Sequence, residues 1–220
     1  MKLLLSCSAV FFSSFIQAQI VSGPDTVNEE EVTELSAVQT SAGTFLAACM
    51  TRHSSGMDAM KIYRSADNGI TWDSVFFAGS PNFLIKYPDP VLCTDNSGNV
   101  YAAVMVGNSS YYDIWLYRST DDGLTWSFIS KPYGKSDLFC DLPSITSTAN
   151  GFVYASYSAG MSHIAFRRSK DGGLTWPDSA NFSPALSGGN VYPSHLDWTI
   201  GNRLCLSFAD YTNTAIRCAR

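Results

Sequence analysis

Arg52, Asp58, Asp89, Asp141 and Tyr192 are the residues of this chain whose types could hold or transform a polar ligand. The planar guanidinium of Arg52 suits a carboxylate or another anion, and the Lys86 ammonium could share that task. The three aspartates can accept hydroxyl protons or exchange a proton with a reacting group. The Tyr192 ring, like those of Tyr87, Tyr111, Tyr112 and Tyr211, offers a flat face for stacking. A plainer reading stands beside this for Asp89 and Tyr192. Each precedes or adjoins a proline, and Asp-Pro and Tyr-Pro steps shape turns. His53, His163 and His195 share no ligand spacing, and no C-x-x-C pair occurs, so neither a metal nor a cofactor is expected.

What must position these residues is a repeated unit. Directly after an arginine, the pattern S-x-D-x-G-x-T-W occurs three times: Ser65 to Trp72, Ser119 to Trp126, and Ser169 to Trp176. The spacing from Asp67 to Asp121 is 54 residues and from Asp121 to Asp171 it is 50. A period near fifty means a structural unit that stacks on its neighbours. Ser and Asp two apart can bind backbone N–H groups in a tight connection. The glycine that follows supplies a positive φ, and the Trp ring can be buried between repeats. Asp67, Asp121 and Asp171 therefore read as turn-formers and not as catalytic groups, each closing a hairpin.

Around each octapeptide lie short apolar stretches separated by turn residues. The second repeat is clearest, with Pro90 to Thr94, a polar turn through Gly98, Val100 to Val106, Ile114 to Arg118, the octapeptide, and Trp126 to Ser130. No helical periodicity occurs. Four antiparallel strands per repeat describe the blades of an all-β β-propeller, over residues 34–78, 87–131, 141–182 and 191–220. The fourth repeat reaches Arg220 before a further octapeptide, so the expectation is an incomplete propeller of three full blades and part of a fourth. The alternative is a closed four-bladed ring in which Gln19 to Val27 lends the last outer strand. In either arrangement the octapeptide turns share one rim. Arg52, Asp58, Asp89, Asp141 and Tyr192 fall in second-to-third-strand loops or blade openings, hence on the opposite face.

The octapeptide resembles the Asp-box, or BNR repeat, of sialidases and other secreted β-propellers. That resemblance implies a six-bladed fold and exo-α-sialidase chemistry, with three arginines on the substrate carboxylate, the first in an Arg-Ile-Pro motif. It also implies a Tyr nucleophile assisted by a Glu, and an Asp acid/base to which Asp58 corresponds in position. Here the first blade opens with Glu34-Leu35-Ser36-Ala37, and no glutamate follows Glu34. The resemblance thus covers nearly the whole chain as a fold signal and little of it as a catalytic one. It implies a non-catalytic or accessory propeller that binds glycan or protein, with the alternative of an exo-α-sialidase completed by a longer parent chain.

Residues 1–18 read as a signal peptide: Lys2, an apolar run from Leu3 to Ile16, and Ala18 for cleavage, which implies a secreted or periplasmic protein without a membrane anchor. A net charge of −5 without a basic run argues against nucleic acid as a partner. Past Cys7, the five cysteines are too sparse for a disulfide scaffold. Cys49 and Cys93 read as buried thiols, while Cys205 and Cys218 flank a hairpin and could bridge it.

Overall fold

The computed structural model describes residues 31–52, 58–78, 89–107, 112–132, 140–148, 150–160, 163–182, 191–199, 203–210 and 215–219. The leader at 1–18 and the Gln19 to Val27 segment lie outside these. The first sheet is β1 (Glu31–Gln39), β2 (Phe45–Arg52), β3 (Asp58–Ser65) and β4 (Asp73–Ala78). The second is β5 (Val91–Thr94), β6 (Val100–Gly107), β7 (Tyr112–Ser119) and β8 (Ser127–Ser130). The third is β9 (Cys140–Ser147), β10 (Val153–Ala159), β11 (His163–Ser169) and β12 (Asp178–Phe182). A fourth sheet has three strands among the described residues, β13 (Val191–Thr199), β14 (Arg203–Asp210) and β15 (Ala215–Ala219). Every sheet is an antiparallel meander in chain order, consistent with part of a β-propeller.

The sheets stack through their first strands, β1 on β5, β5 on β9 and β9 on β13. Strands β6 and β10 are buried along their whole lengths, which is why they read as near-continuous runs of small and β-branched residues. Between the first and second sheets, Leu46, Ala48, Met60 and Ile62 pack against Leu92, Val100, Ala102 and Val104. Between the second and third, Tyr101, Ala103, Met105, Ile114 and Leu116 meet Ile145, Val153, Tyr157 and Ala165. Each fully buried Leu or Ile there stabilises by about 1.5–3 kcal/mol.

The octapeptide turns, or boxes, join the third and fourth strands of each complete sheet. In the first, the Ser65 hydroxyl accepts the Gly69 N–H at 2.8 Å and donates to Asp67 at 2.7 Å. The Asp67 carboxylate accepts the Thr71 N–H and, at 2.6 Å, its hydroxyl. Ser119/Asp121 and Ser169/Asp171 repeat the arrangement. Bonds from the Thr71 hydroxyl and N–H and from Ser65 hold Asp67 down to about 2, and the matching groups do the same for Asp171. The fourth and fifth box positions are both left-handed: Asn68 and Gly69 at φ 62° and 84°, Asp122 and Gly123 at 59° and 82°, Gly172 and Gly173 at 67° and 87°.

Two expectations are corrected. Trp72, Trp126 and Trp176 are half-buried, not buried, because each indole keeps its edge on the turn. Trp72 and Trp126 donate to their own Gly69 and Gly123 carbonyls, and Trp176 to Ser130 of the preceding sheet. Cys205 is free, since the register pairs Cys218 with Ser207 and not with Cys205. Cys49, Cys93 and Cys140 are buried.

The second and third boxes are also keyed into the sheet before them. A Cβ on Gly123 would stand 2.5 Å from Leu46 Cδ2, and one on Gly173 2.7 Å from Leu116 Cδ2. Gly43 shares the left-handed φ, at 91°, with nothing within 4 Å of its missing Cβ. Gly43→Ala is therefore expected to cost about 1 kcal/mol of backbone strain. Gly123→Ala adds overpacking and costs about 3 kcal/mol. Urea unfolding of the two variants separates the strain from the inter-sheet packing, and equal costs would refute the keyed turn.

Candidate functional site

At the end of the sheets away from the boxes, the first strand of each blade is irregular. β1 is bulged between Thr33 and Leu35 against β2, with Glu34 at φ 52°. β9 is bulged opposite Tyr157, with Leu142 at φ 50°. Asp89, at φ 39°, holds the matching place just before β5, and β13 is bulged between Pro193 and His195. A left-handed residue in a strand turns its backbone out of the ladder and re-aims the neighbouring side chains. Repeated in adjacent blades, the device gathers three carboxyl groups from three blades.

Glu34 and Asp89 occupy equivalent left-handed positions in the first and second blades. The Glu34 carboxylate accepts the Asp89 backbone N–H at 2.9 Å. Burial, then the Glu34 charge, a hydrogen bond with Glu34 and the charge of Asp141 push the Asp89 carboxyl up to about 8. Asp141, one residue before the third bulge, is also raised. Burial is the main cause and Glu34 adds to it, against a bond from the Leu142 N–H. The three groups form a partly desolvated set in which Asp89 keeps its proton at neutral pH while facing another carboxyl. Two serines, Ser36 half-buried and Ser144 buried, brace the same strands across the blades, Ser36 accepting the Leu92 N–H at 2.9 Å and Ser144 the Leu196 N–H at 2.8 Å.

Asp89 and Asp141 thus lie together, and Glu34 completes the set. Glu34 carries no binding signature in the sequence, where it stands only as the first residue of Glu34-Leu35-Ser36-Ala37. Counting back from the strand ends would have found it, since Glu34 precedes Gln39 as Asp89 precedes Thr94. Arg52 and Asp58, expected in a loop, are instead the last residue of β2 and the first of β3, and they face each other in register. The loop between them is shorter than expected because pairing runs to the end of the hairpin. Arg52 also pairs with Glu31, which sets this rung at the Glu34 end of the first sheet. Tyr192 lies on β13 in register with Ala209, at the corresponding end of the fourth sheet. Asp67 follows the other end of β3. Lys86, Tyr87, Tyr111 and Tyr211 lie outside the described residues. Among those residues no group of His, Cys, Asp and Glu is arranged to hold a metal ion, and no helix is long and apolar enough to cross a membrane.

No protein-family model matches the chain, and no curated sequence does either. Solved structures do. An α-L-arabinanase from Penicillium chrysogenum, complexed with arabinobiose, is similar with a TM-score of 0.63 and 17% identity over 89% of this chain and 69% of the enzyme. An α-L-arabinofuranosidase from Fusarium graminearum, with arabinobiose, gives 0.61 and 17% over 85% and 59%. A Hadza microbial sialidase gives 0.58 and 17% over 84% of this chain and 36% of the sialidase. The chain therefore spans between about a third and two thirds of these proteins. At such identities the likeness establishes the fold, that of propeller glycosidases.

The carboxyl set has a stability signature. A carboxyl raised in the folded state contributes stability that is fully present below its ordinary value near 4 and lost as pH rises through about 8. The melting temperature is expected to fall by about 5 °C or more between pH 5 and pH 8.5. Asp89→Asn should leave only the slope due to Asp141. A wild-type curve flat over this range would show that Asp89 is not held protonated.

Proposed function

We propose that this chain is an exported Asp-box propeller that binds a glycan at the end of its sheets bearing Glu34, Asp89 and Asp141, with Arg52, Asp58 and Tyr192 on the same end. The observation that carries this reading is the meeting of Glu34 and Asp89 from adjacent blades of a glycosidase-like fold, where burial and the neighbouring charges hold the Asp89 carboxyl well above the usual carboxylate range. Carboxyl groups that both accept and donate suit the hydroxyls of a sugar. Solved neighbours complexed with arabinobiose support a glycan over a protein partner.

The character of the cluster bears on which glycan. The Glu34 carboxylate, with Asp141 near it, repels a sialic acid carboxylate, and the position where sialidases carry their first arginine holds Glu34. A neutral sugar of the arabinose type therefore suits this end better than a sialoside, which argues against the exo-α-sialidase alternative for this stretch of chain. Catalysis is a second reading, favoured by the same observation: an acid near 8 beside a second carboxyl is what protonation of a glycosidic oxygen needs at neutral pH. In that reading Asp89 is the general acid, and the remaining groups belong to a longer parent protein.

Calorimetric titration with arabinobiose and with sialyllactose tests the proposal. The neutral sugar is expected to bind, and Asp89→Asn to weaken it about tenfold or more, which is about 1.4 kcal/mol. Arg52→Ala should affect only an anionic glycan. Asp121→Ala should lower the melting temperature through the box turn and leave affinity unchanged. Preference for the sialoside, or no binding of arabinobiose, sinks the neutral-glycan reading. Hydrolysis of an aryl arabinoside that fades as pH rises past about 8 and disappears in Asp89→Asn would establish catalysis.

A further inference from the structure

Two side chains of β1 accept N–H groups from the second blade. Glu34 takes that of Asp89 and Ser36 that of Leu92, both at 2.9 Å. The serine contact recurs between the third and fourth blades, where Ser144 takes the Leu196 N–H. Counted back from these contacts, Leu142 stands where Glu34 does, two residues before its serine. Pro193, three residues before Leu196, stands where Asp89 does before Leu92. Leucine has no side-chain acceptor and proline no N–H, so the Glu34 contact has no counterpart there. Yet β9 and β13 stack, and Leu142 is left-handed at φ 50°. The serine contact therefore suffices for stacking, and the left-handed backbone does not need a carboxylate.

What the Glu34 contact adds lies at Asp89. A left-handed φ of 39° strains a residue that has a Cβ, and the Glu34 bond to the Asp89 N–H offsets that strain from the neighbouring blade. Glu34 is also hydrogen-bonded to the Asp89 carboxyl. Held at backbone and side chain together, Asp89 has one position and one direction for its carboxyl. The strands packed on β5 bring two charges to it, Glu34 from β1 and Asp141 from β9. β6 carries only Tyr101, bonded to Asp95 at the box end. β2 carries Arg52, on the rung of Glu31 and Asp58, and the buried Cys49, as β9 carries the buried Cys140.

We propose that Glu34 is the positioning residue of the glycan site, fixing from the first blade both the backbone and the carboxyl of Asp89, which in turn meets the ligand. This role rests on the glycan reading of that end, whereas its test needs no sugar.

The test follows the Asp89 carboxyl carbon by NMR in protein with 13C-labelled aspartate, the signal being identified by its loss in Asp89→Asn. In the wild-type protein its midpoint is expected near 8. Glu34→Gln keeps an oxygen for the Asp89 N–H and removes the charge. The proton affinity of Asp89 should fall about tenfold or more, with exchange of its amide hydrogen as slow as before. Glu34→Leu copies the residue that the third blade carries at this position. It should fold, lower the proton affinity likewise, and speed exchange of the Asp89 amide about tenfold or more. A wild-type midpoint in the ordinary carboxylate range overturns the proposal, as does unchanged proton affinity in Glu34→Gln or unchanged exchange in Glu34→Leu. Failure of either variant to fold overturns it too, because Glu34 would then be needed for stacking itself. Both shifts without binding of arabinobiose would overturn the glycan reading alone.

Discussion

The register of the first three sheets depends on the grip of Arg64 and Arg118, with the apolar patch beside each, on the box turn of the next blade. Apolar stacking between sheets is strong but carries little direction, because burial scales with area and not with orientation. The box supplies direction. Two successive left-handed residues push a carbonyl and a bare Cα toward the preceding sheet, where Arg64 or Arg118 meets the carbonyl and Leu46 or Leu116 meets the Cα. The Ser and Asp of the box hold the turn from inside, so its outer surface is free to be the key. One octapeptide thus serves as hairpin clasp and as inter-blade connector.

At the opposite end the same repetition serves another purpose. A left-handed residue recurs at the start of the inner strands, and the side chains carried there differ from blade to blade: Glu34, Asp89, Leu142. A geometry that is structurally required can thereby present blade-specific chemistry, since the backbone fixes where a side chain arises and leaves its identity open. Gathering carboxyls at this end has an electrostatic cost, met by retention of a proton on Asp89 and by the backbone N–H groups of Asp89 and Leu142. A proton so held can be donated, which links the way the cluster is tolerated to its proposed use.

The strands, their order within each blade and the box turns were all legible in the sequence. Each depends on groups within about ten residues of one another: alternation of apolar residues, a Ser and an Asp two apart, a glycine after them. The opposition of Arg52 and Asp58 to the boxes was legible for the same reason, because strand direction alternates along a meander. The recurrent arginine was visible as a pattern, but its partner, 58 residues away in the case of Arg64 and Asp122, was not.

The sequence by itself determined a repeating all-β chain with its turns on one rim and Asp89 and Asp141 on the other. Tertiary structure alone decided that Glu34 joins them, that Trp72, Trp126 and Trp176 are only partly covered, and that Cys205 stays free. The Glu34–Asp89 contact spans 55 residues and exists only because stacked sheets bring successive bulges side by side. No local pattern encodes that distance. Local hydrogen bonding builds the blade, and the packing of blade on blade selects which side chains share one low-dielectric space.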